Sequence, residues 1–530
     1  MKRYKYVLLA GCLAGIAACT KNFDDINTNK TGYTELDPEF MLPKIQADMS
    51  GDREDVWRYD LGIASPIIQH LGGSWWTRHG AHYRVDEKSH WYSHWVTTYP
   101  RELKNVQNII DKTQNDPAQV NALAAARIVK VMLYSKLTDM YGDIPYSEAI
   151  KGFTDKKFLP RYDKQEDIYK DFFKELDEAY NQLKADGPPV KGDLFFDGNI
   201  GKWKKLANSL RLRLGFRLTK IDAAEARKQV EAAISKGVMT DAADICMVRH
   251  MNMSYASGEN RGNGRSQVFR GGARSNGFRV CAALVDTLRT SHDPRLNIYG
   301  GNYFGENTIV DFDAVDLTGY LPAAGIPNGF MPWNVSDDYG IVTTPQGTFL
   351  VDNNDKIMQP SKYVAQYDAP FFHVTPAEVE FLLAEAALRG WGGQTNAEGH
   401  FMKGLQLACE AAQLYPGVPA VNQTKIDALK NYYTPFPADF DGAMNAIHTQ
   451  MWVNFFLNGT EAFANWRRTN LPHIQRYKGG AGGYTPGADT MPRRYFYPES
   501  EIIQNPKNYQ EAVSRLGENS MFLRVWWDKP

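Results

Sequence analysis

The chain has 530 residues, 43% hydrophobic and 23% charged, fractions that exclude disorder, collagen-like structure and coiled coil for the bulk of it. With 60 Lys and Arg against 61 Asp and Glu the formal charge is −1, which excludes a general nucleic-acid binder and its basic surplus. No apolar run reaches the ~18–20 residues of a membrane-spanning helix, whereas aromatic residues make up 12% of the chain.

The N-terminus predicts export. Lys2, Arg3 and Lys5 precede a short apolar run from Val7 to Ala18 that ends in small residues. Ile16-Ala17-Ala18-Cys19 has the form of a lipobox, where a peptidase cleaves before a cysteine that has received a diacylglycerol. The rival Leu9-Ala10-Gly11-Cys12 leaves too short an apolar run before it. Residues 1–18 are therefore expected as a lipoprotein signal peptide, 19–40 as a lipidated tether and 41–530 as the folded body, with Cys19 the lipidation site. Acyl chains there would hold the body at a membrane surface. Cys246, Cys281 and Cys409 are then left, odd in number and widely spaced, so no disulfide framework is expected. No Cys-x-x-Cys occurs.

Helical periodicity begins in Asn121–Tyr141 and recurs in Ile168–Leu183, Trp203–Leu218, Ala226–Gly237, Ala377–Trp391, Ala397–Leu414 and Met444–Phe463. These segments fall into consecutive pairs with Gly or Pro between members, which predicts a mainly α fold of tetratricopeptide-like (TPR-like) hairpins within about 101–240 and 375–475. Residues 57–99, with five Trp and five His, break the pattern. So does 250–372, dominated by Gly, Asn, Asp, Pro and aromatics. That stretch is too long for a connection and predicts a loop-rich insertion with short strands, the usual place for binding function. The tail, 479–530, also reads as irregular, with Trp526 and Trp527 locking it onto the body.

Several segments carry a resemblance. Arg127 is followed by Tyr134, Leu137 and the run from Tyr141-Gly142-Asp143-Ile144-Pro145 to Ala149; Ser209-Leu210-Arg211-Leu212-Arg213 opens a long helix. Glu378–Ala386, Glu461–Arg468 and Pro492–Pro498 complete a series that runs from the lipobox to the C-terminus. Their order resembles the SusD/RagB-like outer-membrane lipoproteins of Bacteroidetes, and Lys21 with Asp24 and Asp25 looks like the export signals of such proteins. The resemblance implies four TPR-like helix pairs packed against a loop-rich, ligand-binding half, so that 41–530 is one SusD-like domain. It implies a non-catalytic lipoprotein on the outer membrane, facing the cell exterior. Such a protein captures oligosaccharides and delivers them to a SusC-like TonB-dependent transporter. The chain looks like a divergent branch, so starch is not carried over as ligand. The alternatives are a RagB-type lipoprotein that captures peptides and, from another class, a surface glycan-cleaving enzyme.

No Gly-x-Ser-x-Gly, His-Glu-x-x-His or Gly-x-x-x-x-Gly-Lys-Ser/Thr occurs, although paired carboxylates far apart in sequence would still suit glycoside hydrolysis. His79/His82 and His90/His94 have metal-like spacing but lie among aromatics and are read as hydrogen-bonding groups. Asp352-Asn353-Asn354-Asp355 and Asp311/Asp313/Asp316 lack EF-hand spacing and are read as turns, so no metal or cofactor is expected. Sugar binding needs flat apolar platforms flanked by polar groups. Trp75 and Trp76, in a Gly-flanked loop with Arg78, fit that need, since adjacent indoles in a loop do not easily face one core. In the insertion, which the resemblance marks as ligand-contacting, Tyr303 and Trp333 are the candidates. Arg127, Asp143 and Arg467 are expected to hold the scaffold.

Overall fold

The computed structural model describes residues 37–84, 88–152, 154–255, 260–271, 277–304, 312, 315–330, 339–477 and 491–530. The signal, Cys19 and most of the tether lie outside these residues.

Nine helices carry the scaffold: α1 (Lys104–Thr113), α2 (Val120–Tyr141), α3 (Gln165–Gln182), α4 (Ile200–Arg217), α5 (Ala223–Ser235), α6 (Pro376–Leu388), α7 (Ala397–Ala412), α8 (Phe440–Asn454) and α9 (Gly459–Thr469). α1/α2, α4/α5, α6/α7 and α8/α9 are consecutive neighbours, four helix pairs, and α3 fills the space between α2 and α4. Local chemistry sets their limits. The Thr375 hydroxyl accepts from the Glu378 amide and Pro376 occupies the first turn of α6. The side chains of Asn199 and Asn396 cap α4 and α7 in the same way. α2 stops at Gly142, whose φ of +83° ends the helix without Cβ strain. α2 is buried around most of its circumference and α6 almost entirely, so these two form the centre of the core.

The expected scaffold residues are found there. Arg127 Nε donates to Glu175 at 2.7 Å, joining α2 to α3. Asp143 accepts from the Gln165 amide at 2.9 Å and from Arg515 Nε at 2.6 Å. Arg467 is buried, donates to the Arg493 carbonyl at 2.8 Å and lies 4.8 Å from the Trp527 ring. Trp527 Nε1 donates to Asp139 at 2.8 Å, fastening the tail to α2.

Four sequence expectations are corrected. Met444–Phe463 is not one helix but two, broken at Phe455–Asn458, where Leu457 has a φ of +65°. The break serves a close approach: a Cβ on Gly459 would sit 2.4 Å from both Asp60 Oδ1 and Ser65 Oγ. Residues 57–99 contain helical turns, including a π-helical stretch Trp57–Ala64, and α1 follows them. The insertion contains helices Gly264–Gly271 and Ala282–Thr290, and the tail contains Pro506–Leu516. Each is too short for its apolar period to stand out against the surrounding Gly and Asn. The short strands expected in the insertion are present, and every sheet among the described residues has two strands. The described cysteines, Cys246, Cys281 and Cys409, are free and buried.

Candidate ligand-binding face

The Trp75–Trp76 loop is positioned by contacts on both sides. Before it, Leu71–Gly72 pairs antiparallel with Arg279–Val280 of the insertion. Gly73 then takes a φ of +77°, with the Arg279 side chain so close that a Cβ would lie 2.6 Å from it. Ser74 closes the turn: its hydroxyl accepts from the Trp76 amide at 3.3 Å and its carbonyl accepts from the Thr77 hydroxyl at 2.7 Å. After the loop, Arg78–Ala81 forms one helical turn pressed on the π-helical stretch, where a Cβ on Gly80 would meet the Ile63 carbonyl at 2.2 Å.

This frame turns the two indoles apart. Trp75 is 44% exposed at the crest. The Arg78 guanidinium stacks 3.1 Å from its ring centre, and Arg78 Nε donates to the Trp75 carbonyl at 3.2 Å. One indole face is thus covered by a cation and the ring is held in place. Trp76 is half-buried, with Trp57 4.6 Å away edge-on and His90 at 5.6 Å. Trp57 in turn carries Arg58 over its ring at 4.4 Å. Sequence reading missed Trp57 and Arg58. The repeated pairing of an indole with an arginine within three residues was the available signal, but its meaning depends on the π-helical stretch that brings Trp57 under Trp76.

The insertion packs, through His82, against the end of the Arg78–Ala81 turn. Its Nε2 hydrogen-bonds the Gly329 carbonyl at 2.6 Å and its ring stacks on Tyr477 at 4.5 Å. Burial pushes the His82 pKa below its ordinary value, so the ring is neutral near pH 7. Phe330, 40% exposed, follows directly.

Tyr303 is a correction. It is 1% exposed, its hydroxyl accepts from the Lys362 amide at 2.7 Å, and Phe312 packs 5.1 Å away. The ring plugs the insertion from within and offers no face to a ligand. Trp333 lies outside the described residues. Asp352 and Asp355 form a capping box on a helical turn, as the turn reading expects. Among the described residues no group of three or more His, Cys, Asp or Glu could hold a metal ion, and no helix is long and apolar enough to cross a membrane. A cavity of about 580 Å³ opens between α1, α2 and α3. Its charged lining is engaged in scaffold pairs such as Arg127–Glu175 and Lys130–Glu175.

Comparisons with known proteins agree with this architecture. Residues 32–498 match the family SusD-like_2, described as starch-binding and associating with the outer membrane. A solved structure named chitin-binding protein is 36% identical, covers 93% of this chain and 100% of its own, and superposes with a TM-score of 0.78. A SusD-like protein from Bacteroidetes AC2a is 29% identical over 93% of this chain and 100% of its own, with a TM-score of 0.83. A SusD homolog from Bacteroides vulgatus, 20% identical over 93% of this chain and 97% of its own, shares the fold with a TM-score of 0.73. None of the curated proteins compared matches.

Proposed function

Because the chain belongs to the SusD-like family, we propose that it is a non-catalytic surface glycan-binding lipoprotein, and that its ligand is an oligosaccharide of the chitin class. Cys19 carries the lipid that holds it on the outer membrane, facing outward, and a SusC-like TonB-dependent transporter receives the captured glycan. The observation that carries the glycan reading is the Trp75 platform: an exposed indole with Arg78 stacked over one face. Pyranose rings present C–H faces to such platforms and hydroxyls to the neighbouring guanidinium donors. The relative named chitin-binding, 36% identical over nearly the whole chain, supports N-acetylated sugars as the class. Trp75, Trp76 and Arg78 are the proposed contacts.

Stacking and solvent-exchanged hydrogen bonds contribute about 1 kcal/mol each net, so affinity for a single chain should be about micromolar to millimolar. Calorimetry of the form lacking residues 1–19 against chitin oligomers and a peptide panel tests the reading. Binding of peptides without any glycan would replace it with the RagB-type alternative, and release of shortened sugars would replace it with an enzyme. Gentle extraction of a tagged copy should bring down an outer-membrane barrel; repeated recovery of the protein alone would remove the transporter.

A further inference from the structure

We propose that the glycan face does not end at Trp76 but continues along the Arg53–Arg58 helical edge to Tyr255, forming a second subsite for the same glycan chain. This rests on the glycan reading above. The observation is a ladder in which aromatic rings and guanidinium groups alternate. Trp76 meets Trp57 at 4.6 Å, and Arg58 lies over Trp57 at 4.4 Å. Glu54 follows, one helical turn away, paired with Arg58 at 3.6 Å and with Arg53 at 2.6 Å. Arg53 lies over the Tyr255 ring at 4.3 Å. Tyr255 is 40% exposed, and the side chains of Arg53, Glu54 and Arg58 are 27%, 47% and 32% exposed. The ladder is thus half-buried at Trp76 and Trp57 and most open at Glu54 and Tyr255.

Its chemistry selects the ligand. Each guanidinium lies over a ring; Arg58 also donates to the Glu54 carbonyl, and a five-donor guanidinium keeps N–H groups beyond those these partners take. The remaining donors suit neutral acceptors such as sugar hydroxyl and acetamide oxygens. Glu54 holds both arginines in place, at 2.6 Å from Arg53 and 3.6 Å from Arg58. Asp52 caps the short helix Arg53–Val56, accepting from the Asp55 amide, and Gly264 approaches so closely that a Cβ would meet the Gly51 carbonyl at 2.3 Å. The edge is thus held before any ligand arrives, which lowers the ordering cost of binding. A second contact on one chain adds to the first as an intramolecular event, so its effect grows with oligomer length.

The test is calorimetry with the chitin dimer and hexamer on the wild type and on Tyr255→Ala and Arg58→Ala, with thermal unfolding as the folding control. Both variants should weaken hexamer binding, Tyr255→Ala by roughly three- to tenfold, the range of a lost aromatic contact, and Tyr255→Ala should leave the dimer unchanged on Trp75. Tyr255→Phe, which keeps the ring, should bind the hexamer as the wild type does. Variants that fold and bind the hexamer within twofold of the wild type would overturn the second subsite while the glycan reading stands. A wild type that binds neither oligomer would overturn both.

Discussion

Replacing Trp75 with alanine isolates the exposed platform from the core beneath it. Trp75 is 44% exposed, so the substitution opens no cavity and should leave the thermal unfolding midpoint unchanged. With roughly 250 Å² for a large aromatic side chain, the accessible part is roughly 110 Å², of which a stacked sugar ring covers about half. At about 25 cal/mol per Å² that burial contributes about 1.4 kcal/mol, or about tenfold in affinity. The substitution also removes the ring on which Arg78 stacks at 3.1 Å, so a donor beside the sugar loses its fixed position. The assay is calorimetry with chitin hexamer, paired with thermal unfolding. An unchanged affinity in a folded variant would refute the placement of the platform. Trp76→Ala is a poorer probe, because Trp76 is half-buried against Trp57 and His90 and its loss should also lower stability.

Asp60 joins three segments behind the face: its carboxylate accepts from Arg265 at 2.8 Å, the Gly459 amide at 3.0 Å and the Ser65 hydroxyl at 3.0 Å. Asp60→Asn leaves Arg265 buried without its counter-charge and should lower stability by about 3–5 kcal/mol in urea unfolding; a smaller loss than 1 kcal/mol would contradict the pairing. Burial pushes the Glu102 pKa up to about 8, so the folded state holds a proton that the unfolded state releases near 4.5, and stability should fall as pH rises between those values and level off above. Glu102→Gln should flatten that slope; an identical slope in the variant would show that Glu102 ionises freely. Cys19→Ala should yield protein that no longer partitions into detergent or the outer membrane, and retained attachment would remove the lipid anchor.

Much of the scaffold was legible because helices bury periodic stripes. Leu123, Ala126, Val129, Leu133 and Leu137 mark α2, and all are buried. Polar positions were legible where they repeat a known order, as Arg127, Asp143 and Arg467 do. The Met444–Phe463 break was not legible, since Gly459 reads as an ordinary helical glycine until Asp60, some four hundred residues earlier, is brought against it. The π-helical stretch from Trp57 was hidden for the same reason. Its sequence, Trp57-Arg58-Tyr59-Asp60-Leu61-Gly62-Ile63-Ala64, mixes aromatic, charged and apolar residues, and its helical form is supported by contacts with α9 and the Arg78 turn.

The two tyrosine and tryptophan candidates that can be compared show where composition stops being informative. Trp75 and Tyr303 each sit among glycines and polar residues, and each reads as a platform. One is 44% exposed and the other 1%. What separates them is a backbone amide, Lys362 N, that takes the Tyr303 hydroxyl as acceptor, together with Gly301, whose missing Cβ would stand 2.4 Å from that hydroxyl. A glycine beside an aromatic residue therefore has two opposite meanings. At Gly73 it lets the backbone pass against the Arg279 side chain two residues before an exposed indole; at Gly301 it lets the backbone close over a phenol and bury it. The strand pairs beside them, Gly72 with Arg279 and Gly301 with Gln359, are both buried, so the pairing alone does not distinguish them. Burial of a loop aromatic is decided by what its own ring and polar atom meet, the Lys362 amide and Gly301 for Tyr303 and the Arg78 guanidinium for Trp75, so the ligand face had to be read from packing and not from aromatic content.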